Sequence, residues 1–213
     1  MESVAQFPQI FAHRGLWRVP EEQNTISAFE RAFAEGFGVE TDILEIDSRG
    51  YISHDTSDYL SKPQTNQLPF LGPVALNIKS DDAWKTLANR VNEIECSNSF
   101  FFDGSGPTMF HLSRAGLPFA NRVSEFESEG ELLAKYLWVD SWSGKFWWDT
   151  FDIQSWLSRY RRIILVSPEL HKLPYKAFWS ELEDLIAKLP QAPISICTDY
   201  PEDLKKMLAG LDG

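Results

Sequence analysis

Short apolar runs alternate with stretches of helical period along the whole chain. QIFAH (9–13) reads as a buried strand. TISAFERAFAEG (25–36) puts Ile26, Phe29, Ala32 and Phe33 on one helix face, with Asn24 or Thr25 placed to cap it and Gly36 to stop it. GVETDILEI (38–46) is a strand. The turn SRG leads from it into YISHD (51–55), as a hairpin or a folded-back extension. Five more strands follow by the same signals, at 73–79, 99–105, within 118–127, at 135–142 and at 162–169. Helices are predicted over 81–94, 107–116, 151–161 and 176–189, and a last strand and helix over 193–200 and 201–210.

The sum is roughly eight strands, most of them followed by a helix. Their apolar residues run on without alternation, which suits a parallel sheet covered on both faces. A doubly wound sheet and a closed barrel both satisfy that pattern. No Gly-rich nucleotide-binding motif follows any strand, which weighs against a nucleotide-binding sheet.

Composition adds limits. The 213 residues are 43% hydrophobic and 24% charged, and eight Trp and fifteen Phe supply large area to bury. The length favours one domain, taken as 1–213. The formal net charge is -11, so the surface repels nucleic acid, and a phosphate ligand needs local cations or a metal. Cys96 and Cys197 form no metal or disulfide pattern. MESVAQFPQIF carries too short an apolar run for a signal peptide, and no segment is long enough to span a bilayer. A cytoplasmic protein without stable membrane insertion is the expectation, its oligomeric state open.

Polar residues gather late in the strands or just after them: His13, Arg14, Glu40, Asp42, Asn77, Lys79, Asp103, Asp140, Glu169 and Asp199. In a barrel, active sites form there. Strand ends are polar everywhere, so part of this set belongs to solvated or capping positions. Glu40 and Asp42 are different. Two apart on a strand, they point to the same side and repel unless a cation or a shared proton relieves them. A hard divalent cation held by oxygens is the natural solution.

These residues together resemble the glycerophosphodiester phosphodiesterases. The shared pattern is His13-Arg14-Gly15, the PEEQNT cluster, Ala28-Phe29, Gly36, Glu40-Thr41-Asp42 and His54-Asp55, with CTDYPEDL matching the family's last turn. The ordered set covers about 45 residues of the chain. The resemblance implies a compact α/β (β/α)8 TIM-type barrel and a metal-dependent hydrolase of a small glycerol- or sugar-linked phosphodiester, as in lipid metabolism. It implies His13 and His54 as the acid–base pair, Arg14 and Lys79 as phosphate contacts, and Glu40, Asp42 and Asn77 around Mg²⁺ or Ca²⁺. Imidazoles suit that work because they exchange protons near neutral pH.

Three departures from the family pattern stand out. Asn77 occupies the place of a third metal-binding Glu, which predicts weak metal binding unless Asp103 or another acid completes the shell. Gln23 precedes Asn24 where Glu is usual. The stretch 56–73, TSDYLSKPQTNQLPFLGP, is too polar and Pro-rich for a helix, so the second barrel helix is missing or replaced by a loop. His111 and His171 read first as structural residues. Trp142 is a candidate pocket lining, Arg122 a weaker second contact for an anion, and EFESEGE a solvated face. The alternative to an enzyme is a degenerate barrel that binds a phosphorylated ligand or a partner without turnover. A phospholipase acting at membranes is disfavoured by the acidic balance and the lack of a basic amphipathic stretch.

Overall fold

The computed structural model describes residues 9–130 and 132–210. The leader reading therefore falls largely outside it. Eight parallel strands form the frame among these residues: β1 (Gln9–His13), β2 (Gly38–Ile46), β4 (Val74–Ile78), β5 (Phe100–Phe102), β6 (Ala120–Val123), β7 (Tyr136–Val139), β8 (Arg162–Val166) and β9 (Ile194–Thr198). β3 (Arg49–Tyr51) only folds back antiparallel on β2. The neighbour order is β5-β4-β2-β1-β9-β8-β7-β6. The two ends meet through one bridge, Phe101 to Phe119, with the Phe101 amide donating to the Pro118 carbonyl at 3.0 Å. The sheet is thus a nearly closed barrel, and the doubly wound alternative is excluded.

The lumen is filled by side chains, as expected of a small barrel. Phe11, Ala75, Phe100, Phe102, Tyr136, Trp138, Ile164 and Cys197 form its apolar cluster. Phe102 stacks on Trp138 with centroids 4.0 Å apart, and Phe100 on Tyr136 at 4.5 Å. The second apolar layer lies between the strands and the helices. There Phe29 and Ala32 of α1 (Ile26–Ala34), Leu112 of α3 (Gly106–Arg114) and Leu182 of α5 (Lys176–Lys188) are fully buried.

Local signals placed most elements. Thr25, rather than Asn24, caps α1 and accepts from the Ala28 amide. Asp149 and Asp152 form a capping box on α4 (Thr150–Leu157), and α6 (Pro201–Ala209) begins on Pro201. The helix expected over 81–94 is instead a 3-10 helix, Ala83–Arg90, that passes into the short α2 (Val91–Cys96). No α-helix follows β2, as the polar, Pro-rich stretch predicted: β3 and two short 3-10 turns, Tyr59–Ser61 and Thr65–Gln67, fill that side. Among the described residues none follows β6 either, where a turn closed by Ser124 and Glu127 leads toward β7.

Candidate active site

Register brings the motif residues to one level. In the parallel pairing of β1 with β2, His13 stands beside Glu40, and in that of β2 with β4, Asp42 stands beside Asn77. Residues two apart on a strand share a side, so His13 projects above lumen residue Phe11, and Glu40, Asp42 and Asn77 project likewise. Gly15 lets the chain leave β1 this way. Its φ is +87°, and a Cβ there would lie 2.9 Å from the Ala28 Cβ, so the turn packs directly on α1.

His13 Nδ1 lies 2.7 Å from Asp199 Oδ1, and Nε2 lies 3.8 Å from Glu40 Oε2. Asp199 follows β9 and is set by its own support. The buried Glu169 accepts from the Asp199 amide at 3.2 Å and from the Thr198 and Ser167 hydroxyls. Arg14 donates its amide to Glu40 Oε2 at 3.3 Å, and its Nε makes a charge contact with Asp42 Oδ2 at 3.0 Å, outside hydrogen-bond geometry. Lys79 Nζ lies 3.2 Å from Asp42 Oδ1. Asn24, in left-handed conformation, donates to Asp42 Oδ2 at 2.9 Å and accepts from the Thr41 hydroxyl at 2.8 Å. Gln23, the departure from the family pattern, accepts from Arg14 Nη1 at 3.3 Å and helps hold that side chain.

The electrostatics follow from burial and these neighbours. Burial pushes the Glu40 carboxyl above its ordinary value. The charge of Asp42 adds to the effect, and His13, Arg14 and Lys79 oppose it. Asp42 goes the other way. Burial works to raise it, yet Lys79, Arg14 and the Asn24 hydrogen bond together hold it below the carboxylate range. Burial disfavours a charged His13, but the Asp199 hydrogen bond and the Glu40 charge outweigh that and raise it.

The other candidates are not tied into this cluster by hydrogen bonds or ion pairs. His54 sits on the excursion after β3. Its ring is half-exposed, 3.7 Å from Asp55, and none of the hydrogen bonds or ion pairs that tie the cluster together reaches it. Asp103, the reserve acid for the metal shell, is paired with Arg122, which also binds Glu127 at 2.7 Å. That pairing places Glu127 of EFESEGE in the network rather than on a purely solvated face. His111 is exposed on α3, as read. His171 is half-buried with Nε2 2.6 Å from Asp140 Oδ1, and its ring packs on Trp142 with centroids 4.0 Å apart. Sequence reasoning offered Asn24 only as a helix cap, Gln23 only as a departure from the family pattern and Asp199 only as one of the polar residues at strand ends. The CTDYP turn and the PEEQNT cluster were the signals that held them.

The donors suit a hard cation. All are oxygens, and the Asn77 Oδ1 atom is buried without a partner while its Nδ2 donates to Glu40 Oε1 at 3.3 Å. Among the described residues no three His, Cys, Asp or Glu side chains are grouped to hold a metal ion. Lys79 and Arg14 already face both Asp42 oxygens and would compete with a cation.

A nearly closed parallel barrel with buried carboxylates, cations and an Asp-held imidazole toward the carboxyl ends of its strands defines a TIM-barrel protein. The crystal structure of a glycerophosphodiester phosphodiesterase from Agrobacterium tumefaciens has this fold: the TM-score is 0.61, with 14% identity over 96% of this chain and 98% of that one. At that identity the likeness shows the fold. No family model matches the chain, and no curated protein matches it by sequence. No helix among the described residues is long and apolar enough to cross a membrane.

Proposed function

We propose that this barrel cleaves a small phosphodiester, glycerol- or sugar-linked, with help from a weakly held divalent cation. The observation that carries the reading is convergence: two cations, Arg14 and Lys79, and the imidazole of His13 meet on one pair of buried strand-end carboxylates. A phosphodiester carries one negative charge that grows on its oxygens during displacement, so fixed cations in a water-poor mouth lower the barrier. Arg14 and Lys79 turn from Asp42 to the phosphoryl oxygens when substrate enters. Glu40, Asp42 and Asn77 would hold Mg²⁺ or Ca²⁺, which would supply Lewis-acid stabilisation of the phosphoryl charge. His13, oriented by Asp199, takes the proton of the attacking water or substrate hydroxyl. A second imidazole protonates the leaving alkoxide, and His54 is the residue that the motif offers for it.

The test is a panel of phosphodiesters with and without divalent cations. Activity is expected on at least one, falling about 10²–10⁴-fold in His13→Ala. Calorimetry is expected to show cation binding in the wild type and none in Glu40→Gln. One observation favours a second reading, a degenerate barrel that binds a phosphorylated ligand without turnover: Asp42 is already neutralised by its own cations. A wild type silent on every diester, yet stabilised by a phosphomonoester, would establish that reading instead.

A further inference from the structure

We infer that His171, held by Asp140, is the proton donor to the leaving group, and that Trp142 bounds the subsite of the departing alcohol. The inference rests on the phosphodiesterase reading above. Its ground is a second imidazole–carboxylate dyad at the same mouth. His171 Nε2 lies 2.6 Å from Asp140 Oδ1, matching the 2.7 Å between His13 Nδ1 and Asp199 Oδ1. In both, a carboxylate just past the end of a barrel strand lies within hydrogen-bond distance of one ring nitrogen. His171 Nδ1 has no hydrogen-bond partner among the described residues.

Position supports the role. Asp140 follows β7 two residues after Trp138, which fills the lumen, so its carboxylate projects into the mouth. In the circular strand order β7 stands four places from β2 in either direction, directly across from Glu40 and Asp42. Burial, and after it the charges of Glu40, Asp199, Glu169 and Asp140, push the lumen thiol of Cys197 up. Asp140 is itself fixed: its Oδ1 accepts from the Ser141 amide at 3.0 Å and its carbonyl from Trp147 Nε1 at 2.7 Å. Trp142 covers one face of the His171 ring and keeps 46% of its own surface open. A diester whose phosphorus sits by Arg14 and Lys79 extends its alcohol across the mouth toward this pair. His54, on a solvated loop beside an exposed Asp55, has no comparable hold.

The step balances. A P–O bond forms to the nucleophile, whose proton goes to His13. The opposite P–O bond breaks, and the alkoxide takes the proton of His171. The experiment uses the intact protein and two diesters that differ only in their leaving group, a poor alkoxide and a good aryloxide. His171→Asn is expected to lose about 10²–10⁴-fold in kcat on the first and little on the second. His54→Asn is measured beside it on both diesters. Added imidazole is expected to restore part of the alkoxide activity of His171→Ala. Asp140→Asn, a positioning change, is expected to lower kcat on the alkoxide with KM nearly constant. Equal losses on both diesters in His171→Asn would make it a packing residue and overturn the inference, as would a leaving-group-dependent loss confined to His54→Asn. Either result leaves the phosphodiesterase reading standing, whereas a wild type inactive on both diesters overturns the two together.

Discussion

Asn77 carries the sharpest consequence of a single atom. Its Oδ1 is buried without a partner beside two carboxylates, one raised and one lowered from the usual range. Replacing the amide by Asp supplies a third negative charge at the same place. Asn77→Asp is expected to bind Mg²⁺ or Ca²⁺ at least tenfold more tightly, about 1.4 kcal/mol, and to be less stable than the wild type without metal. The check is thermal unfolding with and without the cation, since a ligand of the folded state raises the midpoint by an amount that grows with the logarithm of its affinity. Equal cation-induced shifts in variant and wild type would remove residue 77 from the metal shell.

Between elements, Glu125 ties the turn after β6 to the loop after β7. Its carboxylate accepts from the Trp142 amide at 3.1 Å and the Ser143 amide at 2.7 Å. Burial works to raise this carboxyl, but the hydrogen bonds from Ser143 and Trp142 outweigh it and lower it. A carboxylate lowered on folding stabilises the fold above its unfolded value and loses that contribution as pH falls through its folded value. Glu125→Gln is therefore expected to cost up to about 1 kcal/mol at pH 7, the partial exposure of the site keeping it small. The gap between the two urea midpoints is expected to narrow below roughly pH 4.5 and to close beneath the lowered value. A gap independent of pH would show that the charge of Glu125 contributes nothing.

For the whole molecule the weak seam lies between β5 and β6. One bridge closes the barrel there, whereas β1 and β9 share four paired positions. The stacked pair Phe102 and Trp138 spans the lumen beneath the seam. Amide exchange is expected to be faster at Phe101 than at Phe11 or Ile196, because the least-paired strands open first. Trp138→Ala is expected to cost about 3–5 kcal/mol and to raise exchange most at that seam. Uniform protection around the barrel would mean that it opens only as a whole.

The sequence by itself determined the strand–helix rhythm, because period and caps are local. The Pro-rich stretch 56–73 announced its missing helix, and Glu40 with Asp42 announced a shared face, since strand period alone sets both. The motif gathered His13, Arg14, Glu40, Asp42, Asn77 and Lys79, and register in the fold brings these six together. Strand and helix period left a closed barrel and a doubly wound sheet open, and the resemblance pointed to the barrel; the bridge between residues 101 and 119 that closes it depends on strand curvature around a filled lumen. EFESEGE, read as a solvated face, gave no sign that Glu127 would pair with Arg122. The hold of Asp199 on His13, 186 residues away, and of Asp140 on His171 came only from tertiary structure. A histidine's partners lie on other strands, and only the folded barrel decides which carboxylate stands within reach of which ring.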